Sequence, residues 1–230
     1  MAPDQDNLQM LSYALAVIPT VLSVTVHEYA HARMAIALGD TTPRETDRDT
    51  LNPLEHFDLL GTVLLPALST HALGAPLLGW GKPTPCWPAK FRKGVHPKVG
   101  LVAVALAGPL ANLLLAVVAA VAFNMGVQRG WWAATGMPLK PLSVAMFLHT
   151  LALQNAAFAV LHLLPLPPFD GYRLAPRRLQ ARLQPYERWG VGVLLGIFMF
   201  VPFVAMPLAV PLHAVGGFLF SVVDRLVPPG

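Results

Sequence analysis

Long apolar runs alternate along this chain with shorter polar stretches, and the length of each run is what predicts its structure. A helix crossing the hydrocarbon layer of a bilayer needs about 20 mostly apolar residues. Runs of that size occupy residues 9–38, 99–127, 142–164 and 189–223. The last holds no Asp, Glu, Lys or Arg and is punctuated by Pro202, Pro207 and Pro211. It therefore reads as a helical hairpin within 187–226. A further apolar run, 59–81, is interrupted by Pro66, Gly74, Pro76 and Gly79 and is either an additional span or a re-entrant segment. Polar linkers lie at 39–58, 82–98, 128–141 and 167–188, and no internal repeat is evident. The pattern predicts an all-α polytopic membrane protein: about five transmembrane helices plus the 59–81 segment, in one domain spanning 1–230.

Composition agrees. The 230 residues are 55% hydrophobic and 12% charged, against roughly 25% charged in ordinary soluble domains, and mean hydropathy is +0.55. The net charge of +4 is concentrated in two loops, a distribution that suits a lipid bilayer and not nucleic acid. Basic and aromatic residues do not interleave as a base-stacking groove requires. Cys86 is the only cysteine, so no internal disulfide forms and the redox compartment stays open. Asp4 and Asp6 precede the first Lys or Arg, Arg33, which argues for a retained first helix over a cleaved signal peptide.

Within the first apolar run stands His27-Glu28-Tyr29-Ala30-His31. Residues four apart lie on one helix face, so both imidazoles can reach one ion, with Glu28 on the adjoining turn. Catalytic zinc uses three protein ligands and keeps a fourth position for water, and a neighbouring carboxylate can take a proton from that water and pass it to a leaving amine. Ionisable side chains at bilayer depth cost about 2.5 kcal/mol or more each, so they mark a function or a partner. A third ligand is still required. Asp170 ends an apolar helix in Leu163-Leu164-Pro165-Leu166-Pro167-Pro168-Phe169-Asp170-Gly171 and is the candidate. On its own, Asp170-Gly171 also fits a simple turn.

The chain resembles the site-2 protease family of intramembrane zinc metalloproteases, in its small form without a PDZ or nucleotide-sensing domain. That family pairs H-E-x-x-H on one membrane helix with N-x-x-P-x-x-x-L-D-G on a later one. The matches here are His27, Glu28 and His31, then Pro165, Asp170 and Gly171. The likeness continues through Leu51-Asn52-Pro53-Leu54, Gly61-Thr62, Gly79-Trp80-Gly81-Lys82-Pro83 and Gly108-Pro109-Leu110-Ala111-Asn112. It implies one Zn2+ per chain held by His27, His31 and Asp170 in a zinc-binding core over 9–171. It also implies Glu28 as general base and then general acid, and a transmembrane protein as substrate. Asn112 either contacts the oxyanion or substrate backbone, as the family suggests, or bonds a neighbouring helix.

Two positions depart from the pattern: His162 stands for Asn, and Phe169 for Leu. The second exchange is conservative. His162 either donates to the scissile carbonyl or developing oxyanion, acts as a surplus ligand, supports the ligands from behind, or packs against a helix. Asn52 and His56 either orient the ligands or belong to a solvated turn. The breaker-rich region 59–88 is expected to hold irregular backbone that pairs with an unwound substrate by edge addition. The rival class is a zinc-binding membrane protein without proteolysis, a transporter or a substrate-binding homologue. Against it stand the single polar cluster, the absence of repeats and the retained Glu28.

Topology follows from making the ligands meet. A complete crossing by 59–81 would put Asp170 on the face opposite the end of the first run, whereas re-entry brings both ligand sets to one side. Lys82, Lys90, Arg92, Lys93 and Lys98 fill one loop and Arg173, Arg177, Arg178, Arg182 and Arg188 another, and both are expected in the cytoplasm. The expectation is a multi-pass protein of a prokaryotic cell membrane with an external N-terminus, a zinc site near the cytoplasmic face and an internal C-terminus. Oligomeric state is not readable from the sequence.

Overall fold

The first apolar run forms a single helix, α1 (Gln5–Ala37), whose 33 residues rise about 50 Å at 1.5 Å each. It stops where Gly39 adopts φ +108°, a left-handed conformation that glycine takes without a Cβ clash. The structure, a computed structural model, describes residues 5–73, 79–132, 143–189, 192 and 202–226. Two one-turn helices follow, α2 (Thr42–Glu45) and α3 (Pro53–His56), each with proline in its first turn, where the missing N–H costs nothing. A π-helical turn (Leu59–Leu64) runs into α4 (Leu65–Leu73). The long helices α5 (Pro97–Gln128) and α6 (Val144–His162) come next. A 3-10 turn (Asp170–Leu174), α7 (Arg177–Leu183) and α8 (Pro202–Leu226) complete the described elements. Among the described residues no strand is present.

The two ends of the 59–81 segment meet. The Trp80 N–H donates to the Gly61 carbonyl at 3.2 Å and the Thr62 hydroxyl donates to the Trp80 carbonyl at 3.1 Å. A Cβ on Gly61 would overlap the Trp80 ring, so glycine is what lets the two ends meet. The entry and exit of this segment are neighbours.

Cross-contacts give the helix directions. Thr20 meets Gln154, Ser23 meets Asn155, and His27 lies 4.3 Å from His162 between ring centroids, so α1 and α6 run parallel. His31 meets Val104 while Ser23 meets Asn112, so α5 runs antiparallel to both. One end of the bundle thus gathers the later turns of α1, the first half of α5 and the end of α6. The opposite end is packed by Ala116, Ala120, Phe123, Ala152, Phe220 and Val223 from α5, α6 and α8.

Helix α8 corrects one expectation. Phe220 packs on Phe123 and His149, and Asn124 donates to Asp224 at 2.7 Å, which puts the end of α8 beside the end of α5, away from Asp170. The chain was expected to finish on the Asp170 side. Pro207 and Pro211 do not break the segment but lie inside one continuous helix, so they do not reverse its direction. The first arm of the expected hairpin, residues 190–201, lies outside the described residues apart from Gly192. Among the described residues α5 and α6 are both long and apolar enough to cross a bilayer. This fits the helical membrane class, with two candidate spans among the described residues.

Candidate metal centre

His27 and His31 are one turn apart on α1, and Asp170 reaches them from the 3-10 turn after α6. The His27 Nε2 to His31 Nε2 distance is 3.0 Å, His27 Nε2 to Asp170 Oδ2 is 3.0 Å, and His31 Nε2 to Asp170 Oδ2 is 3.4 Å. Ligand atoms about 2.0–2.2 Å from a shared tetrahedral ion stand about 3.3 Å apart, which these separations match. His27 and His31 are 3% and 6% exposed.

The outer nitrogens decide what the inner ones offer. His31 Nδ1 donates to the Val104 carbonyl at 2.7 Å, and His27 Nδ1 donates to Asn112 Oδ1. With both protons committed there, each Nε2 turns a lone pair inward, as a metal ligand must. Two lone pairs and a carboxylate oxygen facing one another repel unless a cation lies between them, so the donor set fits zinc. Space is reserved as well: a Cβ on Gly108 would lie 2.5 Å from His31 Nε2 and 2.6 Å from His27 Nε2. Only glycine lets α5 approach the ligands this closely.

Asp170 is oriented by its neighbours. His162 Nδ1 donates to the same Oδ2 at 2.9 Å. Burial pushes the Asp170 carboxyl up, but the hydrogen bond from His162 and the imidazoles of His27 and His31 beside it outweigh that and hold the group below the ordinary carboxylate range. A Cβ on Gly171 would overlap the Leu163 carbonyl, so the glycine seats this turn against the end of α6. Phe169 meets the His162 ring edge-on, centroids 5.7 Å apart.

Glu28 is 8% exposed and lines a cavity of about 530 Å³ with His27, His162, Asp170, Trp80 and Phe158. Its Oε2 accepts the Thr84 N–H at 2.8 Å, and the Thr84 hydroxyl donates to the Glu28 carbonyl at 3.1 Å. The loop carrying Thr84 is pinned further on, where the Trp87 N–H donates to the buried Asp40 carboxylate at 2.6 Å.

The sequence candidates are thus brought together: His27, Glu28, Asp170 and His162 share one cavity wall, His31 joins His27 and Asp170 behind it, and Asn112 holds His27 from its far side. Asn112 is fully buried; its amide donates to Asn155 Oδ1 at 2.6 Å and to the Ser23 carbonyl at 3.2 Å while its oxygen holds His27. It does not line the cavity, and its bonds run to His27 and to the neighbouring helices. Asn52 and His56 are not brought to the ligands. Asn52 caps α3 by accepting the Leu54 N–H, and His56 Nε2 donates to the Thr50 carbonyl. Reasoning from sequence missed Thr84, Val104 and Asn155, and named Gly108 only as part of the family likeness, without a role. Of the three, only Asn155 carried a signal, being with Gln154 one of two adjacent amides about two turns before His162 in an apolar helix.

No family model and no solved structure matches this chain. Three known proteins do. The "Putative zinc metalloprotease YwhC" of Bacillus subtilis is 32% identical over 200 residues, 83% of this chain and 85% of its own length. The "Putative zinc metalloprotease Rip2" of Mycolicibacterium smegmatis is 32% identical over 80% of this chain and 68% of its own length. Its namesake in Mycobacterium tuberculosis is 26% identical over 84% and 71%.

Proposed function

Because this chain belongs to the site-2 protease family of zinc metalloproteases, we propose that it is an intramembrane endopeptidase hydrolysing peptide bonds of transmembrane protein substrates. The observation that carries this reading is the convergence of His27 Nε2, His31 Nε2 and Asp170 Oδ2 beside the Glu28 carboxylate in a cavity enclosed by apolar helices. Zinc held there lowers the pKa of bound water to about 7 and polarises a carbonyl. The rest is done by the chain's own groups. The Thr84 N–H occupies Glu28 Oε2, which leaves Oε1 as the oxygen that takes a proton from water and then delivers it to the leaving amine. Asn112 keeps His27 in the ligating tautomer, and His162 fixes the lone pairs of Asp170.

A helical substrate shields its peptide bonds by its own hydrogen bonding, so it must be unwound beside Glu28. Segment 79–84 supports that step. Trp80 and Lys82 spend their N–H groups on Gly61 and His56. Gly81, between them, faces the cavity, and its N–H and C=O have no partner among the described residues. An extended backbone bonds to alternate sides, so Gly81 offers one edge for substrate pairing. The proposed setting is a multi-pass protein of a prokaryotic cell membrane, with the metal end of the bundle facing the basic, cytoplasmic loops and both the start of α1 and the end of α8 outside. In a Cys86→Ser background, a cysteine at position 4 reachable only from the cytoplasm would overturn that orientation.

Glu28→Gln should stop cleavage of a reconstituted membrane substrate, a loss of about 10³-fold or more, while zinc content stays at one per chain. Retained cleavage would end the mechanism and favour a non-proteolytic zinc-binding role.

A further inference from the structure

A second cavity, of about 760 Å³, opens between the first turn of α5 and the Asp170–Leu174 turn with α7. Lys98, Arg173 and Arg177 line it, with His96, and no Asp or Glu does. Among the described residues none of these three cations is in an ion pair. Like charges gathered without a counter-charge repel, and a negatively charged partner relieves that repulsion. Tyr172 and Arg173 form a wall common to this cavity and the one containing Glu28. In a 3-10 turn residues three apart lie on the same side, about 6 Å along the axis, so Arg173 stands one turn beyond Asp170 on its side.

Resting on the protease reading above, we propose that this basic cavity receives an acidic segment flanking the scissile bond. The enzyme then prefers transmembrane proteins with carboxylates about two to six residues from the cut, an extended chain covering about 3.3 Å per residue. A membrane lipid headgroup fits less well. The exposed apolar stripe of α5 is Val99, Leu110, Leu113, Leu114 and Val118. At 3.6 residues per turn, Leu101 in the cavity wall falls on the opposite side of the helix. The cavity therefore lies away from that stripe, where α5 begins, and adjoins the cavity of Glu28 through Tyr172 and Arg173.

The test uses two synthetic peptides with one shared apolar core, flanked by glutamates or by lysines, in uncharged phosphatidylcholine vesicles. The zinc-loaded protein should cleave the glutamate peptide with kcat/KM about tenfold higher at low salt, and the advantage should shrink as salt is added. Arg173→Glu with Arg177→Glu should reverse the preference, and the milder Lys98→Gln should reduce it, with zinc content unchanged. Binding of both peptides to Glu28→Gln is measured in parallel. If the unaltered zinc-loaded protein cleaves neither peptide while Glu28→Gln binds the glutamate peptide preferentially, this assignment stands and the protease reading ends. Equal cleavage of both peptides would keep the protease and overturn this assignment. A rate that depends on added phosphatidylglycerol, with peptide preference unchanged by the charge reversals, would assign the cavity to lipid and also overturn it.

Discussion

Helix α5 runs through two regions that solve opposite problems. Its first half, from Val104 to Asn112, meets α1 and α6 over buried polar groups, and each of these has a stated partner: His31 on Val104, His27 on Asn112, Asn112 on Asn155 and Asn155 on Ser23. Its second half, from Ala116 to Phe123, meets α6 and α8 over alanines and aromatic rings. A polar group inside an apolar bundle is destabilising unless satisfied, so the metal end is held in shape by hydrogen bonds. Small side chains let helix backbones approach closely, so the far end is held by packing. The first region should be sensitive in function and the second in stability.

The largest expected effect falls at the far end. Phe123 is fully buried, with ring contacts to Trp132, His149 and Phe220. Phe123→Ala should cost about 3–5 kcal/mol of stability through the cavity it leaves, measured by thermal or denaturant unfolding in detergent. Zinc affinity of the folded protein should not change; a parallel loss of zinc would mean that the two regions are not separable. Next comes Asn112→Ala, which strips His27 Nδ1 of its acceptor and Asn155 Oδ1 of its donor. Zinc affinity should fall about 10–100-fold in a chelator competition, with a smaller loss of stability than Phe123→Ala. Unchanged zinc affinity would reduce Asn112 to a helix-packing residue. The smallest concerns His162, whose Nδ1–H holds Asp170 Oδ2. His162→Asn keeps a donor and should stay within about threefold of the parent in zinc affinity, whereas His162→Ala should lose about tenfold. Equal values for the two variants would remove the hydrogen bond from the account.

Much of the metal centre was legible beforehand because its spacing is local. His27 and His31 are four residues apart, and helix geometry alone puts them on one face. Asp170 was legible through the need for a third ligand together with the family resemblance, since an Asp-Gly pair after a helix also reads as a turn. Helix existence followed from run length, but the direction of α8 did not, because proline in an apolar run marks a break and a tolerated position alike.

What the tertiary structure alone decided is how distant groups meet. The Thr84 N–H on Glu28 joins positions 56 residues apart, and every residue except proline carries such an N–H, so nothing in the sequence distinguishes it. The same holds for the Val104 carbonyl on His31; Gly108 stood in the family likeness, but its missing Cβ matters only because α1 lies against it. The role of Asn112 was ambiguous for a related reason. An amide in an apolar helix announces a hydrogen bond but not its partner, and only the antiparallel packing of α5 on α1 turns its oxygen toward His27. The sequence by itself determined which residues could hold zinc and move a proton, because those roles depend on side-chain chemistry and helical period. The fold decided which tautomer, oxygen and backbone edge each of them presents.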